Sequence, residues 1–289
     1  KFMTSIFSDV CLPQVGELSA NLRNFDRDRL QLFDEKKVFD AIIEEEKFPL
    51  FSNSYMLLLG PALEEEYVKY SNDRRAEFAI KTVQRRTPQG KIIEKHPLSK
   101  QAWEHIAKTA KMAGRLAERF ADSGLTVNQC TPRETADGTP YLELEYIEGV
   151  RLEELLDGCL ERNDVEGFQK LFDEYVRRIS CGEEMPVADY DLIFANLILS
   201  EGVEREWHVI DYEWSFEKCI ETKEIAFRAI YCYLLENEKR NSLNLDLVMD
   251  KLGITQSDAE QYRRQEMAFQ QYVTGKHMSM AQIREAIAH

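Results

Sequence analysis

Three oxygen-bearing side chains stand out by type and spacing. Asp191 and Asn196 lie five positions apart within the apolar run Val187-Ala188-Asp189-Tyr190-Asp191-Leu192-Ile193-Phe194-Ala195-Asn196-Leu197-Ile198-Leu199. Asp211 closes a second run, His208-Val209-Ile210-Asp211-Tyr212-Glu213-Trp214. The charged stretch Glu201-Gly202-Val203-Glu204-Arg205-Glu206 between them has the character of a hairpin loop. A hairpin would gather Asp191, Asn196 and Asp211 at one mouth. Hard oxygen donors of this kind suit Mg2+, which keeps waters and takes few protein ligands. The alternative is an ordinary hairpin whose polar tips serve solubility.

These side chains need a scaffold, and hydrophobic periodicity outlines one. Residues 1–33 read as extended or irregular, with Arg23, Arg27 and Arg29 alternating with Asp26 and Asp28. Asp34 can cap a helix over 35–46 that Pro49 ends. Strands are expected over 54–59, 66–70 and 78–83, followed by a loop rich in Lys, Pro and Gly over 85–97. A long helix over 99–120 carries Trp103, Ile106, Ala110, Ala113, Ala117 and Phe120 at three- and four-residue steps. Two more strands, 125–130 and 141–147, flank the turn Asp137-Gly138. Helices are expected over 165–180, around 225–235, near 245–252, 257–273 and 280–288, with Ser257 and Ser279 as N-caps.

Composition narrows the function. The chain has 289 residues and a formal net charge of -15. A surface so acidic repels nucleic acid and anionic lipid, which excludes both as principal partners. No apolar run is long enough for a transmembrane segment, and no secretory signal opens the chain. Lys1 in place of Met reads as a fragment of a longer protein or a processed product. Cys11, Cys130, Cys159, Cys181, Cys219 and Cys232 are scattered without a C-x-x-C pair, which reads as buried thiols in a reducing cytoplasm. The five dispersed histidines offer no zinc spacing.

The order D-x4-N, strand, turn, strand, D resembles the catalytic and metal loops of the protein-kinase-like superfamily. It is closest in style to the aminoglycoside phosphotransferases and sugar kinases. The resemblance implies an α+β, two-lobed protein-kinase-like fold: a small antiparallel-sheet N-lobe with one long helix, and a mainly helical C-lobe. Its divisions would be an N-terminal extension (1–50), the N-lobe (51–147) and the C-lobe (148–289). It implies ATP and Mg2+ as cofactors, Asp191 as the catalytic residue, and Asn196 with Asp211 as metal ligands. Ala79-Ile80-Lys81 matches the A-x-K of the third kinase strand, so Lys81 would hold the α and β phosphates. Glu104, or Glu118 failing that, would pair with it from the long helix. Glu145-Tyr146-Ile147-Glu148-Gly149 resembles the hinge, where backbone groups from Glu145 to Ile147 would meet adenine.

The sequence also departs from that pattern. Gly60-Pro61-Ala62-Leu63-Glu64-Glu65 is not a glycine-rich loop and offers fewer free N–H groups to phosphates. Asp189-Tyr190 stands where His-Arg is expected, Ile193 where a Lys often follows, and Glu213 where Gly would close the metal motif. No A-P-E motif follows Asp211. These departures point away from a regulated protein kinase. They point toward a phosphotransferase acting on a small-molecule or glycan acceptor, or to an inactive pseudokinase that binds a partner. The chain is also similar to the region after a methyltransferase domain in bacterial O-antigen chain-terminating kinase-methyltransferases. That likeness implies a glycan acceptor and a covalently linked methyltransferase domain in a longer chain.

Overall fold

A computed structural model describes residues 4–18, 32–52, 54–57, 64–200 and 205–275. Its architecture is α+β. A six-stranded antiparallel sheet runs in the order β1 (Thr4–Phe7), β2 (Glu65–Tyr70), β3 (Ile80–Thr87), β4 (Gly90–Pro97), β7 (Pro140–Glu145), β6 (Cys130–Glu134). The stretch expected to be a loop over 85–97 is instead the end of β3, a tight turn and the whole of β4. Thr87 closes that turn by donating its hydroxyl to the Gly90 carbonyl at 2.8 Å. Cross-strand ion pairs explain why β4 lacks the apolar alternation of a typical strand. Arg85 bridges Glu94 and Glu65, and Lys91 reaches Glu66. Charged side chains paired across strands on one face of a sheet do not need a water-facing loop.

The long helix follows β4 directly. Ser99 accepts the Gln101 N–H, a short 3₁₀ turn follows, and α3 (Trp103–Arg119) runs back across β7, β6 and β4. Ile106, Ala113 and Phe120 are buried as their spacing predicts. His105, Thr109, Met112 and Leu116 are buried too, so the packed face is wider than the apolar stripe. The other early elements are α1 (Glu35–Glu44), capped by Asp34, and α2 (Phe48–Phe51); Pro49, expected to end the first helix, instead lies in the first turn of α2. Residues 54–57 form no strand. The rest of that expected strand, the Gly60-Pro61 turn, the arginines 23, 27 and 29, most of the 201–206 loop and the 280–288 helix lie outside the described residues.

The remaining chain is mainly helical around two small sheets. One has the order β5 (Leu125–Val127), β11 (Trp207–Val209), β10 (Leu197–Leu199), β8 (Val150–Arg151); the other pairs β9 (Ala188–Asp189) with β12 (Ser215–Phe216). The helices are α4 (Leu152–Glu161), α5 (Val165–Ile179), α6 (Thr222–Glu236), α7 (Leu245–Leu252) and α8 (Gln256–Thr274). The cap of α8 is Thr255 rather than Ser257; its hydroxyl accepts the Asp258 N–H while Asp258 accepts the Thr255 N–H. One continuous core joins α3, α4, α5, α6 and the small sheets through Leu116, Leu152, Tyr175, Phe194, Val209 and Ile230. All six cysteines are free; Cys159 is buried as expected, but Cys219 is exposed. Among the described residues no helix is long and apolar enough to cross a membrane.

Candidate functional site

Two short pairings bring the polar residues of the two apolar runs together. β9 pairs with β12 so that Asp189 faces Ser215, and the Tyr190 N–H donates to the Trp214 carbonyl at 3.1 Å. After a 3₁₀ turn, β10 pairs with β11, and the Ile210 N–H donates to the Asn196 carbonyl at 2.9 Å. Asn196 therefore lies beside the strand end that leads to Asp211. Its Nδ2 donates to the Asp191 carbonyl at 2.8 Å and to Asp191 Oδ2 at 3.1 Å. Asp211 takes a left-handed backbone with φ of 51°. Such a conformation is costly for a non-glycine residue and collects at functional sites. The buried Tyr212 holds the turn by donating its hydroxyl to the Asn128 carbonyl at 2.6 Å.

The lysine that meets Asp211 is Lys95, not Lys81. Lys95 Nζ donates to Asp211 Oδ1 and, at 2.5 Å, to Glu213 Oε1. Lys81 lies on the neighbouring β3, opposite His96 in the register. The signal for Lys95 was its place on the strand directly before the long helix, in Ile92-Ile93-Glu94-Lys95. That strand occupies the segment expected to be a loop over 85–97.

The helix partner is also different. Glu104 and Glu118 are exposed on α3. The α3 residue that reaches the cluster is buried His105, whose Nε2 is 3.3 Å from Glu213 Oε2. Arg74, from loop 71–79 between β2 and β3, places Nη1 2.5 Å from the same oxygen. In the sequence Glu213 stands out only as a departure from the metal motif, and nothing there singles out Arg74. A lone arginine in a polar loop carries no signal of its own.

Electrostatics divides the carboxylates into two groups. Burial pushes the Glu213 carboxyl up, but Arg74, Lys95 and His105 outweigh it and hold it well below the usual range. Desolvation pulls Lys95 down, yet Asp211 and Glu213 raise it above its ordinary value. Asp189 behaves oppositely: burial, then the neighbouring Asp191 charge, push it well above the carboxylate range. Asp189 Oδ1 accepts the Asp191 N–H at 3.0 Å, while Oδ2 has no hydrogen-bond partner. Asp191 is raised by burial and by Asp211 against the opposing pull of Arg228. Arg228 Nη1 lies 2.8 Å from Asp191 Oδ1 and also donates to the Tyr190 carbonyl, and its Nε meets Glu266 of α8 at 2.5 Å.

Glu145 ends β7, and its carbonyl accepts the Asn128 side-chain amide at 2.9 Å. Ile147 follows two residues on, in the segment between β7 and β8. Among the described residues, no group of three or more His, Cys, Asp or Glu side chains could hold a metal ion. The expected pair still fits a hard cation by donor chemistry. With Nδ2 turned to Asp191, Asn196 has its oxygen left over, and Asp211 has its second carboxylate oxygen. No known family model matches the chain, and no curated protein matches it.

Proposed function

We propose that this protein transfers a phosphoryl group from ATP to a hydroxyl of a small molecule or glycan. The observation that carries this reading is the contact of Lys95 with Asp211 beside the Asp191–Asn196 pair. A buried cation, two oxygen donors and a carboxylate suited to proton uptake meet in one place. Phosphoryl transfer asks a protein mainly for positioning and charge neutralisation, so this short set of groups can suffice.

Each residue has a distinct duty. Lys95 would hold the polyphosphate. Asn196 and Asp211 would hold Mg2+, which supplies charge neutralisation on the transferring group. Asp191 would orient the acceptor hydroxyl and take its proton as oxygen attacks the γ-phosphorus and the bond to the leaving ADP oxygen breaks. Arg228 and Asn196 fix the Asp191 rotamer, and partial burial lifts its carboxyl toward a basicity useful for that task. The preference for a glycan acceptor, and a linked methyltransferase domain, rest on the sequence resemblance alone.

A second reading is a pseudokinase that binds without turnover. It is favoured by the ion pair that ties Asp191 to Arg228. The two readings separate in an assay of phosphate transfer from Mg-ATP, with and without sugar or glycan acceptors. Under the first, Asp191→Asn keeps Mg-ATP binding and lowers turnover by roughly two to four decades. Asp211→Asn weakens binding and turnover together. Equal turnover in the native chain and Asp191→Asn would remove the catalytic assignment.

A further inference from the structure

The cluster around Glu213 has more in it than one lysine needs. Glu213 presents both oxygens within a side chain that is only 3 % exposed. Oε1 takes Lys95, while Oε2 takes Arg74 and His105. No carboxylate from α3 joins it; the helix contributes an imidazole. Arg74 is 19 % exposed, and its guanidinium lies 5.2 Å from the Trp214 ring centre, which fixes its plane. Its Nη1 also reaches the Phe78 carbonyl at 3.5 Å, within loop 71–79. That loop contains no glycine, so it lacks the open backbone N–H nest that cradles phosphates elsewhere. A guanidinium has five N–H donors in a planar fork, and Glu213 occupies only one side of it.

We propose that Glu213 positions Arg74 and Lys95 as a paired cationic site for the polyphosphate of the nucleotide, with Arg74 contacting phosphate oxygens where a glycine loop would otherwise do so. This rests on the phosphotransfer reading and adds to it the residues that set phosphate affinity. Arg74 is the phosphate-contacting member, and Glu213 is a positioning residue that acts through both cations. The arrangement balances two cations against Glu213 and Asp211 in the free protein. Phosphate oxygens would take over the donors that Glu213 leaves unused.

The test is calorimetric titration of the native chain, Arg74→Met, Glu213→Gln and Glu213→Asp with Mg-ATP and, separately, with adenosine. Arg74→Met should weaken Mg-ATP at least tenfold and leave adenosine affinity within about twofold. Glu213→Gln should weaken Mg-ATP at least fivefold with the same selectivity, and Glu213→Asp should recover part of the loss. General damage to the fold would weaken both ligands alike, and that result overturns the proposal. So does native-like Mg-ATP binding by Arg74→Met, or tighter binding by Glu213→Gln. If Glu213→Gln does not fold, Arg74→Met decides the matter alone, because its side chain is partly exposed. A native chain that binds neither ligand overturns the phosphotransfer reading and this site together. Native binding that Arg74→Met leaves intact overturns this site only.

Discussion

Lys95 puts one ammonium between two carboxylates, and the two are not equivalent. Glu213 is buried and also held by Arg74 and His105, whereas the Asp211 side chain is 42 % exposed. Removing the lysine therefore affects stability and activity differently. Lys95→Met should destabilise by roughly 1–3 kcal/mol, less than the roughly 3–5 kcal/mol expected when a buried charge loses every partner. On the proposed phosphotransfer function, the same change should lower turnover by about a hundredfold or more, because it would remove the cation proposed to hold the polyphosphate. Lys81→Met, one strand away, should stay within about 0.5 kcal/mol of native and within about threefold in turnover. Urea denaturation and a coupled phosphate-transfer assay on both variants check this, and a larger loss of turnover in Lys81→Met would return the assignment to that strand.

At the scale of elements, the site depends on short strands held at close approach. β8 pairs with β10, which pairs with β11, and this ladder fixes Asn196 against the approach to Asp211. Gly149, just before β8, has φ of 157°, and a Cβ there would stand 2.3 Å from the Leu199 carbonyl oxygen. The backbone of β10 cannot yield without disturbing the ladder. Gly149→Ala should cost about 2–4 kcal/mol from combined strain and overpacking. Chemical denaturation measures that cost, and hydrogen exchange should show the loss centred on residues 197–199. A change below about 0.5 kcal/mol would mean that the approach relaxes freely. α8 is a second such element: Glu266 braces Arg228 behind Asp191, and the Val273 carbonyl accepts the Arg75 N–H of loop 71–79 at 2.9 Å. One helix thus touches both the loop that carries Arg74 and the arginine behind Asp191.

For the whole molecule, the buried ion pairs predict how stability responds to acid. Glu213 has a folded-state pKa depressed below its unfolded value, so its contribution is present above about pH 4.5 and is lost as pH falls through the folded value. Glu66 and Glu94 are depressed as well and act in the same direction. Asp189 and Asp191 are raised, so they favour the folded state below the ordinary Asp value and lose that contribution as pH rises. The expected outcome is a fall in unfolding free energy as pH drops below about 4.5, shallower in Glu213→Gln than in the native chain. Urea titrations across that range check it, and parallel pH profiles for the two chains would remove Glu213 as a source of acid sensitivity.

The sequence by itself determined the α+β character, the positions of most helices and the β10–β11 hairpin that leads to Asp211; the run over 187–199, expected as one strand, is instead β9, a 3₁₀ turn that carries Asn196, and β10. Amphipathic periodicity marked α3 and α5, and Asp34 marked the start of α1, because a helix writes its burial into local spacing. It did not reveal β4, since that strand satisfies its charges across the sheet rather than by alternation, and Lys95 was hidden with it. Nor could it show that the carboxylate joining Asp211 on Lys95 is Glu213 and that α3 supplies His105 instead of Glu104. Arg74 and Glu213 are 139 positions apart, and no local pattern encodes a contact across such a distance. Tertiary structure decided those partners, because a buried charge takes whichever counter-charge the fold delivers to it.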